Sequence, residues 1–384
     1  MSTSRLSSRF SIREARSLIT DLSTPNPKVY WVDFLTTMLV GSLAFAMLLY
    51  SDQLVESTTA LWCSRVFFFS VVSVMYMRAV MFIHELVHLP RNQFKGFRVA
   101  WNLLCGIPFL IPSFLYYPHV DHHRRKHYGT DKDGEYLDLS HRHPANVFVF
   151  LAAAFVVPIA AVARFLIMTP IAWVFPGFRK WVEKRASSMI IDVFYLRGDY
   201  GAEARKIMRL QEGLCFVWCI GLVSYAPIVS GQWIDDFLVT CYLLAVTLIL
   251  INNVRTLGAH RWMGDGSELS FEEQLLDSVN YPYRPWFTEL WGPVGTRYHA
   301  LHHLFPSLPY HNLGAAHRRL EEGLPADSLY HETTRISLMQ AIGELWSRAS
   351  NRNPAEGEKT AGQTTGQTTG QTNGPDGDNE NVAA

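Results

Sequence analysis

Long runs of apolar residues constrain this chain more than any other feature. They cover residues 31–50, 60–83, 100–118, 146–176, 213–230 and 237–251. A helix rises about 1.5 Å per residue, so about 20 residues cross a hydrocarbon core of about 30 Å. A soluble all-helical protein with buried core helices is the alternative, but runs of this length favour an all-α integral membrane protein.

Composition removes several other classes of protein. Lys+Arg and Asp+Glu both number 34, so the net charge is zero, which excludes a nucleic-acid binder that works by bulk electrostatics. Hydrophobic residues make up 48% of the 384 residues, too many for a disordered chain. The beginning of the chain has no short apolar segment with a small-residue cleavage site, so we expect no cleaved signal peptide.

The basic residues predict which side of the membrane each loop faces. Lys and Arg are frequent in segments 1–30, 91–98, 119–144 and 177–212, whereas 51–59 and 231–236 contain none. Basic loops stay on the cytoplasmic side. The pattern therefore predicts four transmembrane helices at about 31–50, 60–83, 213–230 and 237–251, with both termini cytoplasmic.

The two remaining runs have basic segments on both sides, so each must cross the membrane an even number of times. Run 100–118 is too short to cross twice, and Gly106, Pro108 and Pro112 interrupt it. Run 146–176 is also too short for two crossings and contains Arg164. We expect both to be interfacial or re-entrant helices.

The domain organisation follows from these elements. Residues 1–30 are expected to form a cytosolic N-terminal segment, and 31–350 a single membrane domain. Residues 351–384 include the repeat GQTTGQTTGQTNG and few apolar side chains. We expect this low-complexity tail to be disordered.

The spacing of the histidines indicates chemistry. Three boxes, one HxxxH and two HxxHH, contain His84 and His88; His119, His122 and His123; and His299, His302 and His303. Spacings of three and four place side chains on one helix face, so each box is expected to present its imidazoles to one point. Neutral imidazole binds zinc, iron, copper or nickel. Eight such ligands exceed what one tetrahedral ion takes, so two metals are predicted.

The predicted topology brings the three boxes to the same, cytoplasmic side, where they can converge in a cap. His260, after the fourth span, is at a matching depth and is a ninth candidate ligand. Glu85 and Asp121 are next to ligands and could orient imidazoles, or be solvated charges. Other histidines are expected at the surface or behind the ligands: His127, His141, His143, His311, His317 and His331.

The boxes resemble those of the integral-membrane fatty acid desaturase family. The resemblance runs from about residue 29 to 319 and is carried by HELVH, HVDHHRRKHYGTDKDGEY, NNVRTLGAHRW and YHALHHLFPSLPYHNLGAAHRRL. It implies four long helices under a cytosolic cap, and two iron ions held by the eight box histidines and His260, with O2 as co-substrate. The implied activity is fatty acid (acyl lipid) desaturation, the removal of two hydrogens from an acyl chain.

The sequence departs from some acyl-CoA desaturases, in which the first box is HxxxxH and the later segment reads NxxxH. Here the first box is HxxxH, and Thr256 stands four residues before His260. The substrate carrier is therefore open between an acyl lipid and an acyl thioester. No CxxCxxC, GxGxxG or HPGG element is present, so an external electron donor of ferredoxin or cytochrome b5 type is expected. The basic segment 179–185 could dock such a donor, but the positive charge that is usual in cytoplasmic loops is the favoured interpretation.

Three alternative functions remain at this point. A lipid or carotenoid hydroxylase or ketolase would use the same scaffold. HELVH also fits the HExxH zinc protease signature, with Glu85 as general base, although that leaves both HxxHH boxes unexplained. A metal transporter with a histidine-lined pathway would need histidines within the spans rather than in a cap.

Overall fold

The computed structural model describes residues 9–89 and 93–351 of the chain. Apart from Asn351, the predicted disordered tail lies outside the described residues. The described ranges contain only helices, turns and isolated bridges. The α-helices are α1 (Ile12–Ile19), α2 (Pro27–Leu49), α3 (Ser51–Leu54), α4 (Thr58–His88), α5 (Lys95–Trp101), α6 (His119–His122), α7 (Ala145–Ala163), α8 (Thr169–Val174), α9 (Pro176–Arg185), α10 (Ala202–Val229), α11 (Asp236–Ala259), α12 (Phe271–Asp277), α13 (Pro285–Trp291), α14 (His299–Leu304), α15 (Tyr310–Gly323) and α16 (Leu338–Ser350).

Five helical stretches are long and apolar enough to cross a membrane. Four of them, α2, α4, α10 and α11, contain the four predicted spans. The fifth is the continuous helix 145–174, in which a π-helical turn at Arg164–Met168 joins α7 to α8. Only 11% to 44% of the residues in the most apolar windows are buried inside the protein, so most of these side chains face outward. An all-α multi-pass membrane protein is thereby confirmed.

Helices α2 and α4 pack together as a hairpin, whereas α11 packs mainly against α7 and α4. Helices α2 and α4 are joined by the short connection around α3, and Arg78 of α4 forms an ion pair with Asp33 of α2 at 2.5 Å. Gly41 of α2 lies against the ring of Tyr76, where a Cβ atom would be only 2.7 Å from Cε1. Helices α10 and α11 are joined by residues 230–235, and the Asp235 side chain caps α11 by accepting from the amide of Leu238.

The run 100–118 lies beside α4 and turns back on itself. Trp101 donates its indole N–H to the carbonyl of Ala79, and farther along the run the Phe109 ring contacts Tyr76 at 4.9 Å. The chain then turns back through a 3₁₀ turn at Ser113–Tyr116, and Tyr116 lies beside His84. Both ends of the run are therefore near the same end of α4, as expected of a re-entrant segment.

The arginine within run 146–176 is buried rather than exposed to lipid. Arg164 pairs with Glu212 of α10 and donates to the hydroxyls of Thr169 and Ser187. Arg179 donates to the other carboxylate oxygen of Glu212 at 2.5 Å. This pairing explains how a charged side chain is accommodated in an apolar run. That the run does not cross the membrane stays a prediction.

The segment 277–281 organises the cap between two distant parts of the chain. On one side, the amide of Val279 donates to the carbonyl of Ala259, and on the other the amide of Tyr281 donates to the carbonyl of Arg297. Asn280 is fully buried and its side chain accepts from the amide of Leu301 in α14. These bonds hold the end of α11 against the beginning of α14.

Candidate metal centre

The nine predicted ligands come together in two groups at one end of the helical bundle. We call them the five-histidine set, which contains His84, His88, His119, His123 and His302, and the four-histidine set, which contains His122, His260, His299 and His303. Within each set, one nitrogen from every imidazole lies within 4.8 Å of the others. His260, the least certain candidate from sequence, belongs to the four-histidine set.

Each HxxHH box is divided between the two sets, contrary to the expectation that a box presents its imidazoles to one point. His119 and His123 enter the five-histidine set, and His122 enters the other. The box on α14 divides in the opposite way, with His299 and His303 in the four-histidine set. Positions i and i+4 share a helix face, whereas i+3 and i+4 are about 100° apart around the axis. Each of the two HxxHH boxes therefore contributes to both histidine sets.

The distances between imidazole nitrogens fit bound metal ions. The Nε2 atoms of His119 and His123 are 2.9 Å apart, as are those of His260 and His299. The Nε2 atoms of His299 and His303 are 3.1 Å apart. A metal with nitrogen ligands at about 2.1 Å in six-coordinate geometry places adjacent donors about 3.0 Å apart. Facing lone pairs at this separation repel each other unless a proton or a cation lies between them.

Other nitrogen atoms of the cage are buried and lack a partner. They include both ring nitrogens of His84, Nε2 of His88, and Nδ1 of His123, His299 and His302. A buried polar atom without a hydrogen bond is costly. His123, His299 and His302 turn Nε2, not Nδ1, toward other imidazoles, so among the described residues the unpaired nitrogens of His84 and His88 are the ones that favour a bound cation. Burial lowers the pKa of most of these imidazoles, and neighbouring histidines lower it further; this holds for His119, His123, His299, His302 and His303. A lowered pKa favours the neutral form of these five imidazoles, which is the form that metal ligation requires.

Two carboxylates from the loop after α6 orient ligands of the second box. Nδ1 of His119 lies 2.9 Å from Glu135, and Nδ1 of His122 lies 2.8 Å from Asp133. Asp133 also accepts from the amides of Gly129 and Glu135, which fix the loop. Burial lowers the pKa of His122, but Asp133 more than offsets this effect and the pKa lies above its usual value. These contacts hold a proton on Nδ1 and turn Nε2 toward the centre.

His260 is oriented by a hydroxyl and a carboxylate. Its Nδ1 lies 2.8 Å from the hydroxyl of Tyr128, which donates to Asp277 at 2.6 Å. Burial raises the pKa of Asp277, but its bonds to His260 and Tyr128 outweigh this and keep the pKa below its usual value. Asp277 ends α12, and its other oxygen accepts from the amide of Met263. The tyrosine therefore links an ionised carboxylate to the ligand.

The two carboxylates that the sequence suggested for this role have other partners. Glu85 accepts from the Tyr30 hydroxyl at 2.5 Å and from the Tyr310 amide at 3.3 Å. Glu85 follows His84 directly in α4, so it lies on a different face of the helix. Asp121 contacts Arg124, His127 and the Tyr195 hydroxyl. The acids that contact the clustered histidines are Glu135, Asp133 and, through Tyr128, Asp277.

Sequence reasoning missed these acids for different reasons. Asp133 and Glu135 lie within the motif HVDHHRRKHYGTDKDGEY, so acidic residues shortly after a histidine box were an available signal. Asp277 and Tyr128 reach His260 only through tertiary contacts, and no local pattern indicates them. The other histidines lie outside both sets: His317 is buried against Tyr330, and His331 contacts Glu321. The remaining ones bind backbone or surface groups, namely His127, His141, His143 and His311.

Comparison with known proteins gives one family and one relative. The model of the family described as Fatty acid desaturase matches residues 60–334. A ceramide hydroxylase from Caulobacter vibrioides (strain NA1000 / CB15N) is 37% identical over 346 residues, which cover 89% of this chain and 94% of the relative. No solved structure matches the chain.

Proposed function

Because the chain belongs to the fatty acid desaturase family, we propose that it is a membrane enzyme that uses O2 to hydroxylate the hydrocarbon part of a ceramide-type lipid at a di-iron centre. The observation that carries this proposal is the pair of all-imidazole ligand sets. Imidazole suits several metals, and family membership supports iron among them. The ceramide substrate and the hydroxylated product come from the relative, whose similarity extends over nearly its whole length.

The reaction must balance oxygen and electrons. A C–H bond becomes C–OH, one atom of O2 enters the product, and the other leaves as water after two electrons and two protons are supplied. A bound iron pair supplies the oxidising power that no acid or base provides for an unactivated C–H bond. The electrons are proposed to come from an external iron–sulfur or haem protein, as expected from the sequence.

The described side chains prepare this centre. Asp133, Glu135 and Asp277 with Tyr128 keep protons on the outer nitrogens of three ligands, so their Nε2 lone pairs face inward. All nine imidazoles are at least half-buried, which limits access of water to the centre. Such chemistry requires the protein to orient the metal ligands and to restrict the access of water.

Desaturation of an acyl chain, the activity that the sequence resemblance implied, is the second candidate, and the family description favours it. Expression in a host of known ceramide content, followed by mass spectrometry of the lipids, separates the two activities. We expect ceramide that has gained the mass of one oxygen atom. Loss of two hydrogens without gain of oxygen would establish desaturation instead. A His122→Ala variant controls for enzymes of the host.

The zinc protease alternative requires Glu85 to face a water molecule beside a metal. Glu85 instead accepts hydrogen bonds from Tyr30 and Tyr310. The protease also leaves seven of the nine clustered histidines without a role. This geometry supports the oxidative function over the protease.

We also propose four membrane crossings, with the histidine cage and both chain ends in the cytoplasm. The clustered histidines lie in the last turns of α4, directly after α11 and in α6, so these points are on one side. Helix 145–174 lies in the chain between α6 and the beginning of α10, which are both on that side. If this helix crossed the membrane once, those two points would be on opposite sides.

Accessibility of single cysteines at Gln232 and Asp199 to an impermeant reagent tests the topology. We expect labelling from outside at Gln232 alone; labelling at Asp199 from outside would mean five crossings.

A further inference from the structure

One buried arginine at the edge of the cage has an unused hydrogen-bond donor. Arg255 lies in the last turns of α11, five residues before His260, and is only 8% exposed. Its Nη2 and Nε donate to the side-chain oxygen of Asn252 at 3.0 and 3.3 Å, and Nη2 is also 3.2 Å from the Thr256 hydroxyl. Nη1 is buried and has no partner in the described ranges 9–89 and 93–351. All its described hydrogen bonds thus go to neutral oxygens.

Arg255 lies on a face of α11 that packs into the apolar core. Leu248 and Ile251 precede it by seven and four residues, so they share its helix face. Both pack against the apolar core that also contains Met81 and Tyr116. The charge of Arg255 interacts with Glu135, the carboxylate beside His119, and with Tyr116. The guanidinium therefore lies close to the edge of the cage.

The unpaired Nη1 donor of Arg255 indicates which kind of acceptor group can bind there. A guanidinium is always charged, and a buried N–H without an acceptor is costly. A carboxylate is best bound by two guanidinium nitrogens at once, but here Nε and Nη2 are already engaged. A single donor matches a single neutral acceptor, such as a carbonyl oxygen.

We propose that Nη1 of Arg255 binds the amide carbonyl oxygen of a ceramide-type substrate, an inference that rests on the proposed function. A helical rise of about 1.5 Å per residue puts Arg255 about 7.5 Å along the axis from His260. The amide is thereby held close to the cage. Oxidation is then expected near the amide and not at the methyl end of a chain.

Equilibrium binding without turnover tests this assignment. The full chain, purified in detergent and kept without an electron donor, is titrated with a radiolabelled long-chain ceramide, and the metal content of every sample is measured. We expect Arg255→Gln to weaken binding about tenfold or more at unchanged metal content, because a hydrogen bond from a charged donor is lost. Arg335→Gln, which removes an arginine paired with Glu344 elsewhere in the cap, is the matched control.

Arg255→Lys keeps the positive charge but removes the planar guanidinium group. If Arg255→Gln does not fold, the ceramide titration is made with Arg255→Lys instead. Unchanged ceramide binding at full metal content in either variant would overturn the assignment. Loss of metal in both variants would mean that Arg255 supports the cage, and would overturn it as well. Arg255-dependent binding of free palmitate but not of ceramide would reject the amide ligand. Arg255-dependent ceramide binding by a chain that forms no oxidised ceramide would support the inference and reject the proposed function.

Discussion

The two ligand sets differ in how their imidazoles are held. In the four-histidine set, two of four ligands have an acidic support: Asp133 on His122, and Asp277 with Tyr128 on His260. Among the described residues, His119 is the only member of the five-histidine set with such a support, Glu135, and both nitrogens of His84 lack a partner. The larger set instead takes two ligands from the last turns of α4, a long helix anchored by its partner α2. Ligand geometry is thus fixed by hydrogen bonds in one set and mainly by the helix scaffold in the other.

The difference suggests distinct sensitivities. Removing one ligand leaves four imidazoles in the larger set but three in the smaller, and carboxylate partners commonly contribute strongly to metal affinity. We therefore expect the four-histidine set to depend on every ligand and every support. The five-histidine set should tolerate single losses better.

The largest expected effect comes from ligand removal. His260→Ala should reduce the metal content to about one ion per chain, since three imidazoles remain in that set. His88→Ala leaves four ligands in its set and should retain most of the metal while lowering activity. Elemental analysis of both purified variants measures the difference. Equal metal loss in the two variants would remove the proposed asymmetry.

A smaller effect is expected from the supports. Asp133→Asn should weaken metal binding about 10- to 100-fold, because His122 loses the carboxylate that fixes its tautomer. Glu135→Gln makes the matched change at His119 and should have a weaker effect, since four other ligands remain. Competition with a chelator ranks the affinities. A stronger effect for Glu135→Gln would reverse the comparison.

Glu85→Gln separates fold stability from metal binding. The carboxylate accepts from Tyr30 and Tyr310, so its replacement is expected to lower the free energy of unfolding by about 1–3 kcal/mol. The metal content should stay unchanged, because no described bond joins Glu85 to a ligand. Thermal unfolding and elemental analysis of the same sample check both expectations. Loss of metal without loss of stability would make Glu85 part of the site.

The smallest effect is expected for Asp121→Asn. Its side chain is 18% exposed and pairs with the partly exposed Arg124, so the change should cost less than about 1 kcal/mol. Metal content and activity should match those of the unchanged chain. A metal loss comparable with that of Asp133→Asn would show that the orienting role was assigned to the wrong acid.

The sequence was sufficient to predict those features that depend on a single hydrophobic periodicity or a single residue spacing. Apolar runs and loop charges located the helices that correspond to the four predicted spans, and the histidine boxes identified the family, which the comparisons confirm. The division of each HxxHH box was not foreseen, because helical spacing states which side chains are close but not which site each one joins. Asp277 and Tyr128 were out of reach, since their approach to His260 depends on segment 277–281 packing between α11 and α14. The proposed product came from the relative, since hydroxylation and desaturation require the same ligands.

Elemental analysis of the purified, unsubstituted chain tests the central claim most directly. Two complete imidazole sets predict about two iron ions per chain, bound at once and removed together with activity by a chelator. A single zinc ion per chain, with no iron after growth in iron-replete medium, would contradict the account.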